Sequence, residues 1–259
     1  MSWQDRILPL AGAVNLRDFG GYGTRDGRRV RRHRLFRSGS LAHLTEDGQR
    51  AFHALGVHTI CDLRRPEEQA EEPTALPPEA ARRVEIPIDP GSAVTMREEL
   101  GRGEVSLQQR IDFMVAINRE LAREHRSDYA RMFEALLEIE EGAFLVHCSA
   151  GKDRTGFACA LILHALGVDE DTVLEDYLVT NAAMDFEGYL LPRLRARYGE
   201  DASLPDEEAV MALAGVREEY LRAAWETIEE EFEGVEAYLE RAVGLDRHAR
   251  ALLRARFLE

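Results

Sequence analysis

The sequence is poor in cysteine, in positive charge and in long apolar runs, and each shortage excludes something. Cysteine occurs three times, as Cys61, Cys148 and Cys159. So odd and sparse a set does not make a disulfide scaffold, and a reducing compartment is expected. Lys and Arg number 33 against 48 Asp and Glu, a formal net charge of -15. Nucleic-acid backbones are held by clustered cations, so no nucleic-acid partner is expected. No apolar run approaches the ~20 residues of a membrane span, so no integral membrane segment is expected. The opening "MSWQDRILPLAGAVNLRDFGG" lacks the basic leader and apolar core of a Sec signal. The cytoplasm is therefore the expected location, with a non-Sec route of export left open. The histidines show no ligand spacing, so neither a metal nor another cofactor is expected. Repeats and low-complexity segments are lacking too. Oligomeric state is not written in these features.

What is present reads as α/β. With 259 residues, 45% hydrophobic and 31% charged, the chain can bury a sizeable core. "RRHRLFRSG" predicts a strand near Leu35 and Phe36. "TEDGQRAFHALG" predicts a helix capped by Thr45 and stopped at Gly56. Val57, Thr59 and Ile60 in "VHTICDLR" predict a buried strand, and "RRVEIPID" a second one ending at Asp89 to Gly91. Helical spacing follows in "VSLQQRIDFMVAINRELAREH" and in "SDYARMFEALLEIEEG", the latter with Ser127 as N-cap and Gly142 as its end. "AFLVHC" predicts a strand and "TGFACALILHALG", apolar all round, a central buried helix. Asp169 caps a further helix over "EDTVLEDYLVTN", and helices broken by "YGEDASLPD", "GV" and "GLD" complete the chain. The expectation is one domain, residues 1–259: a central, mostly parallel sheet flanked by helices, with a helical C-terminal region over about 190–259.

The chemistry concentrates in "HCSAGKDRTG". A strand delivers Cys148, five residues intervene, and a helix is predicted to start at Arg154. Backbone N–H groups wrapped in such a loop, together with a helix N-terminus, make an anion site. The same field favours a thiolate, which makes Cys148 a nucleophile. Arg154 can hold two phosphate oxygens through its planar fork. Gly151 and Gly156 permit close backbone approach, and Ser149, Ala150, Gly151, Lys152 and Asp153 supply the rest of the phosphate-binding loop. The chemistry that follows is attack on phosphorus by Cys148, giving a phosphocysteine that water hydrolyses. A carboxylic acid is needed to protonate the leaving oxygen. Thr155 is placed to hydrogen-bond the sulfur, and His147 to support the loop. Cys61 and Cys159 lie in apolar stretches and read as buried core thiols; a resolving role for Cys61 depends on a distance in space. The basic run Arg28 to Arg37 is either a solvated face or a steering patch for anions.

The loop resembles the signature of the cysteine-dependent protein tyrosine phosphatase superfamily. "NLRDFGGY", "RLFRSGSL", "CDLRRPEE" and "DYLVTN", from residue 15 to 181, resemble bacterial phosphatases of the atypical tyrosine/lipid type. That resemblance implies a protein tyrosine phosphatase-like fold and hydrolysis of phosphotyrosine, often with activity on phosphoserine, phosphothreonine or phosphoinositides. It also suggests Asp153 as general acid, with a loop-bracing role as the plain alternative. Asp62, after a buried strand, and Asp89, in a Pro-flanked turn, are the rival acids. The loop lacks a second lysine, which weakens the inositide reading. The helices after Tyr189 are either core or, as in some relatives, a lid. The partner implied is a phosphorylated protein or a phosphoinositide. A phosphate-binding module without turnover is the non-enzymatic alternative, disfavoured because a binder needs no thiolate.

Overall fold

The computed structural model describes residues 3–93, 99, 105–184, 191, 192, 195 and 207–259. Five strands form one sheet in the order β1-β2-β5-β3-β4. They are β1 (Arg17–Asp18), β2 (Leu35–Ser38), β3 (Val57–Asp62), β4 (Arg82–Glu85) and β5 (Ala143–His147). β2, β5, β3 and β4 run parallel, and β1 is antiparallel on β2. The helices of six or more residues among the described residues are α1 (Glu46–His53), α2 (Pro66–Glu71), α3 (Leu107–Glu124), α4 (Arg126–Leu137), α5 (Asp153–Leu166), α6 (Glu170–Leu178), α7 (Glu207–Ala214), α8 (Glu218–Phe232) and α9 (Arg247–Phe257). The α/β architecture with a mostly parallel sheet is the one expected.

β5 is buried along its whole length because both sheet faces are covered. Its alternation divides the core: Phe144 and Val146 face the larger cluster, Ala143 and Leu145 the smaller. Phe52 of α1, with Leu16, Leu41 and Leu44, closes the smaller side. On the larger side α5 is the central helix. Every residue from Thr155 to Leu166 is buried, which is why it is apolar all round. α8 packs on α3, and Tyr238 Oη donates to the Ala122 carbonyl at 2.9 Å. The described C-terminal helices therefore belong to the core. The region over about 190–259, read as core or lid, falls partly on 190, 193, 194 and 196–206, outside the described residues. Among the described residues no helix is long and apolar enough to cross a membrane.

Local signals explain most boundaries. Thr45 Oγ1 accepts from Gly48 N at 3.2 Å, and Asp169 Oδ1 from Thr172 N at 3.0 Å, each filling a helix N-terminal donor. Ser127 is a correction, because α4 begins one residue earlier, at Arg126. α3 runs on to Glu124, so His125 alone is the junction between two helices, and its ring meets the Asp128 carboxylate at 2.9 Å. Gly142 does not end α4, which stops at Leu137; at φ +76° it shapes the turn into β5. The last residues close a small antiparallel patch with the hairpin that precedes β2. Arg29 and Glu259 exchange N–H···O bonds of 2.9 Å, and Arg31 N donates to Phe257 O at 2.8 Å.

Candidate active site

Parallel strands bring their C-terminal ends to one edge, and the candidate residues gather there. Ser38 of β2 and Asp62 of β3 both sit opposite His147 of β5. β5 then leads directly into Cys148, which is 2% exposed, and α5 begins at Asp153, one residue before the expected Arg154.

Between them the chain is gripped by its carbonyls. Ser40 N donates to Ser149 O at 2.8 Å. Asn15 Nδ2 donates to Ala150 O at 3.2 Å and to Gly151 O at 2.9 Å. Arg37 Nη2 reaches Gly151 O at 3.1 Å. No peptide among the described residues is cis. In a trans peptide the N–H points opposite to the preceding C=O. Holding the carbonyls of Ser149, Ala150 and Gly151 from behind thus turns the N–H groups of Ala150, Gly151 and Lys152 to the opposite side. Successive N–H groups so directed form an anion nest, and the first turn of α5 adds its positive end. Gly151 is required here: its φ is +67°, and a Cβ would come within 2.4 Å of Ser38 O.

Arg154 is held by a residue that sequence reasoning left unassigned. Glu68 on α2 accepts from Arg154 Nη1 at 2.7 Å and Nη2 at 2.8 Å, a two-pronged pair, and from Ser149 Oγ at 2.8 Å. Arg154 Nη1 also reaches the carbonyls of Leu63 at 3.3 Å and Ile88 at 3.2 Å. Burial alone would raise the Glu68 carboxyl pKa, but the hydrogen bonds and charge of Arg154 outweigh it and hold the group well below the usual carboxylate range. Burial would lower the Arg154 pKa, but the charges of Cys148 and Glu68 push it above its ordinary value. Glu68 was visible in part. In "RRPEE" it stands three residues after Arg65 with Pro66 between, and Arg65 N donates to it at 2.9 Å, the carboxylate half of a capping box. The turn is legible in the sequence; the reach to Arg154 is not.

The rival acids are engaged elsewhere. Asp62 accepts from Arg64 Nη2 at 2.8 Å and Arg64 Nε at 3.0 Å, and lies 3.5 Å from His147 Nε2. Burial pushes its carboxyl up, yet His147 and Arg64 bring it below the ordinary value. Asp89 is 3.5 Å from Arg65 and lines a cavity of about 830 Å³ formed with α3, one not lined by Cys148 or Arg154. Asp153 stands in the loop itself. Its Oδ2 is 3.3 Å from Lys152 Nζ, and its buried Oδ1 has no hydrogen-bond partner among the described residues. Lys152 is 4% exposed and also donates to the Leu213 carbonyl of α7.

His147 Nδ1 faces the Cys148 carbonyl at 3.3 Å, and since a carbonyl only accepts, that nitrogen carries the proton. Burial lowers the pKa of this ring. Thr155 Oγ1 is buried without a hydrogen-bond partner among the described residues. Cys61 and Cys159 are fully buried core thiols; burial pushes Cys159 up to about 12 and Cys61 higher still. The basic run disperses rather than forming a steering patch. Arg28 pairs with Asp26, Arg31 holds the Leu258 carbonyl and Arg32 pairs with Asp18. Of this run, Arg37 is the residue that reaches the loop. It is fully buried, with Nη1 on Asp176 at 2.8 Å. Among the described residues no group of three or more His, Cys, Asp or Glu is arranged to hold a metal.

Comparison with known proteins follows the same lines. A family model described as the tyrosine phosphatase family matches residues 8–259. A protein of Cupriavidus necator named as a tyrosine-protein phosphatase is 34% identical over 237 residues, covering 90% of this chain and 82% of its own. The triple specificity protein phosphatase PtpB of Mycobacterium tuberculosis is 30% identical over 267 residues, covering 90% of this chain and 92% of its own. A tyrosine-protein phosphatase of Nostoc commune is 28% identical over 148 residues, 56% of this chain and 47% of its own.

Proposed function

The chain belongs to the tyrosine phosphatase family, a family of phosphatase enzymes, and on that footing we propose that it hydrolyses phosphotyrosine through a phosphocysteine formed on Cys148. The observation that carries this reading is the loop whose Ser149, Ala150 and Gly151 carbonyls are all bonded from behind, with Cys148 at one end and Arg154 at the other. A tetrahedral oxyanion matches the N–H groups so displayed.

In the first step the Cys148 thiolate attacks phosphorus, the P–S bond forms and the bond to the tyrosine oxygen breaks. That oxygen takes a proton from the Asp153 carboxyl. In the second step water attacks phosphorus and gives its proton to Asp153, and the P–S bond breaks to return the thiolate and release inorganic phosphate. Arg154, oriented by Glu68, stabilises charge on the nonbridging oxygens in both steps. The unpartnered Oδ1 of Asp153 supports that assignment over Asp62, both of whose oxygens accept from Arg64. Thr155, whose hydroxyl lacks a partner among the described residues, fits a hydrogen bond to the departing sulfur.

Activity on phosphoserine, phosphothreonine and phosphoinositides is a second reading, favoured by the triple specificity in the name of the mycobacterial relative. A panel of the four substrate classes, run on wild type and Cys148→Ser, tests both. Turnover is expected to vanish in the variant while phosphotyrosine peptide still binds; unchanged turnover would sink the mechanism. Asp153→Asn is expected to slow aryl phosphates with poor leaving groups far more than those with good ones. Equal slowing would return the proton to another group.

A further inference from the structure

Behind the phosphate loop lies a group of charges that the reaction above does not use. Arg17 and Arg37 are both fully buried, and one carboxylate, Asp176, serves them both. Arg37 Nη1 is 2.8 Å from Asp176 Oδ2, and Arg17 Nε is 3.9 Å from Oδ1. The remaining partners are neutral. Arg17 donates to Thr180 Oγ1 at 2.9 Å, to the Asp176 carbonyl at 3.2 Å and to Asn15 Oδ1, and Tyr22 Oη donates to Asp176 Oδ1 at 3.1 Å. The Nε atoms of both arginines have no hydrogen-bond partner among the described residues.

The other ionisable groups that act on the two arginines, Cys159, Tyr22 and Tyr177, do not remove the surplus by ionising. Burial pushes the Cys159 thiol up to about 12 and the hydroxyls of Tyr22 and Tyr177 above their ordinary values, so all three stay protonated at neutral pH. Burial and the charge of Arg37 bring Arg17 down to about 10, which still leaves it charged. The buried group therefore carries two cations and one anion. A buried charge without a partner is costly, and this one reaches the loop and the start of α5. Arg37 Nη2 is 3.1 Å from Gly151 O, and it lies 3.4 Å from where a Cβ on Gly156, in the first turn of α5, would stand. Asn15, whose amide holds the Ala150 and Gly151 carbonyls, is itself bonded to Arg17.

We infer that Arg37, with Arg17, is a positioning residue that fixes the carbonyl side of the loop and lends it one unmatched buried positive charge, whose counterion is the phosphate group of the substrate. The inference rests on the function proposed above, and it makes a demand that a purely structural cluster does not. Removing either member of the Arg37–Asp176 pair breaks the same contact, yet the two losses change the net charge in opposite directions.

The test is the affinity for inorganic phosphate, read by titration calorimetry on the folded full-length chain at fixed ionic strength. Arg37→Gln is expected to weaken phosphate binding by about tenfold, the size of one charge-assisted hydrogen bond together with the lost charge. Asp176→Asn, which adds one net positive charge at nearly constant volume, is expected to tighten it by about threefold. Tyr22→Phe, which removes a hydrogen bond but no charge, is expected to leave it within about twofold. Weakening by both charge variants, or no change in either, overturns the inference. Where one variant does not fold, the sign of the other decides; failure of both to fold assigns the cluster to stability alone and overturns it too. Phosphate binds without turnover. A wild type that binds phosphate but hydrolyses nothing would overturn the function alone, and one that hydrolyses phosphotyrosine while its variants fail to split by sign would overturn this inference alone.

Discussion

Two sets of buried arginine flank the same short loop, and they are balanced differently. In front, Arg154 meets Glu68 one to one, through bonds of 2.7 and 2.8 Å, with a side chain still 15% exposed. Behind, Arg17 and Arg37 share Asp176 and are shut off from solvent. The front pair is a charge whose geometry is set by its partner while it remains open to a ligand. The rear set is closed to ligands and touches no anion directly, acting through the backbone it holds and through the field of its surplus charge. Charge in contact with an anion is thus separated from charge that shapes the receptor, and a glycine between the two allows the close approach.

The largest effect is expected where the front arginine loses its fork. Arg154→Lys keeps the charge but cannot pair with Glu68 and an oxyanion in one plane, and kcat/KM should fall by about 10³-fold, a loss of about 4 kcal/mol in transition-state binding. Steady-state kinetics on a phosphotyrosine peptide checks it, and a loss under tenfold would make Arg154 an ordinary countercharge. Next comes Gly151→Ala, which attacks the spacer itself. The positive φ and the 2.4 Å approach to Ser38 O both oppose a side chain there. A loss of about 2–4 kcal/mol in unfolding free energy is expected from strain of this kind, together with weakened phosphate binding. Denaturant unfolding at unchanged m-value measures the first part.

The smallest effect is expected from Glu68→Gln, which keeps the shape of the front pair and removes its charge. kcat/KM should drop by about tenfold through a less firmly oriented Arg154. Its pH signature is more telling than its size. The folded pKa of Glu68 lies below the ordinary value of 4.5, so its contribution to stability is present above that value and is lost as pH falls through the folded pKa. Thermal melts from pH 5 downward should therefore fall less steeply in the variant than in wild type. Parallel curves would mean that the pairing persists in the unfolded chain or contributes nothing.

The front set was easier to read than the rear one, and the reason is sequence distance. Cys148, Gly151 and Arg154 lie within one loop, where strand, glycine and helix start are local signals. Their order alone points to an oxyanion cradle. The caps at Thr45 and Asp169 were legible for the same reason. Glu68 is joined to Arg154 across 86 positions, and Arg37 to Asp176 across 139, so no local pattern connects them. Arg37 stands in the motif "RLFRSGSL", which resembles the family near its site, but also in a basic run whose members Arg28, Arg31 and Arg32 engage Asp26, Leu258 and Asp18, so its contact with Asp176 is not legible. Ser127 is not the cap because two helices meet at a single residue, and packing sets that junction at His125, two residues before the capping preference places it.

One feature of the fold bears on how the chain comes to be assembled. Backbone bonds tie Arg29 and Arg31 to Glu259 and Phe257, so the hairpin leading into β2 is completed by residues more than 200 positions downstream. A ribosome delivers the N-terminal part first. The strand bearing Arg37 and the segment bearing Arg17 are thus synthesised long before their flank can close. Contacts of such separation are slow to form. The Arg37–Asp176 pair itself spans 139 positions, so the support behind the loop cannot form until the chain through Asp176 has emerged, well after the strand that it steadies.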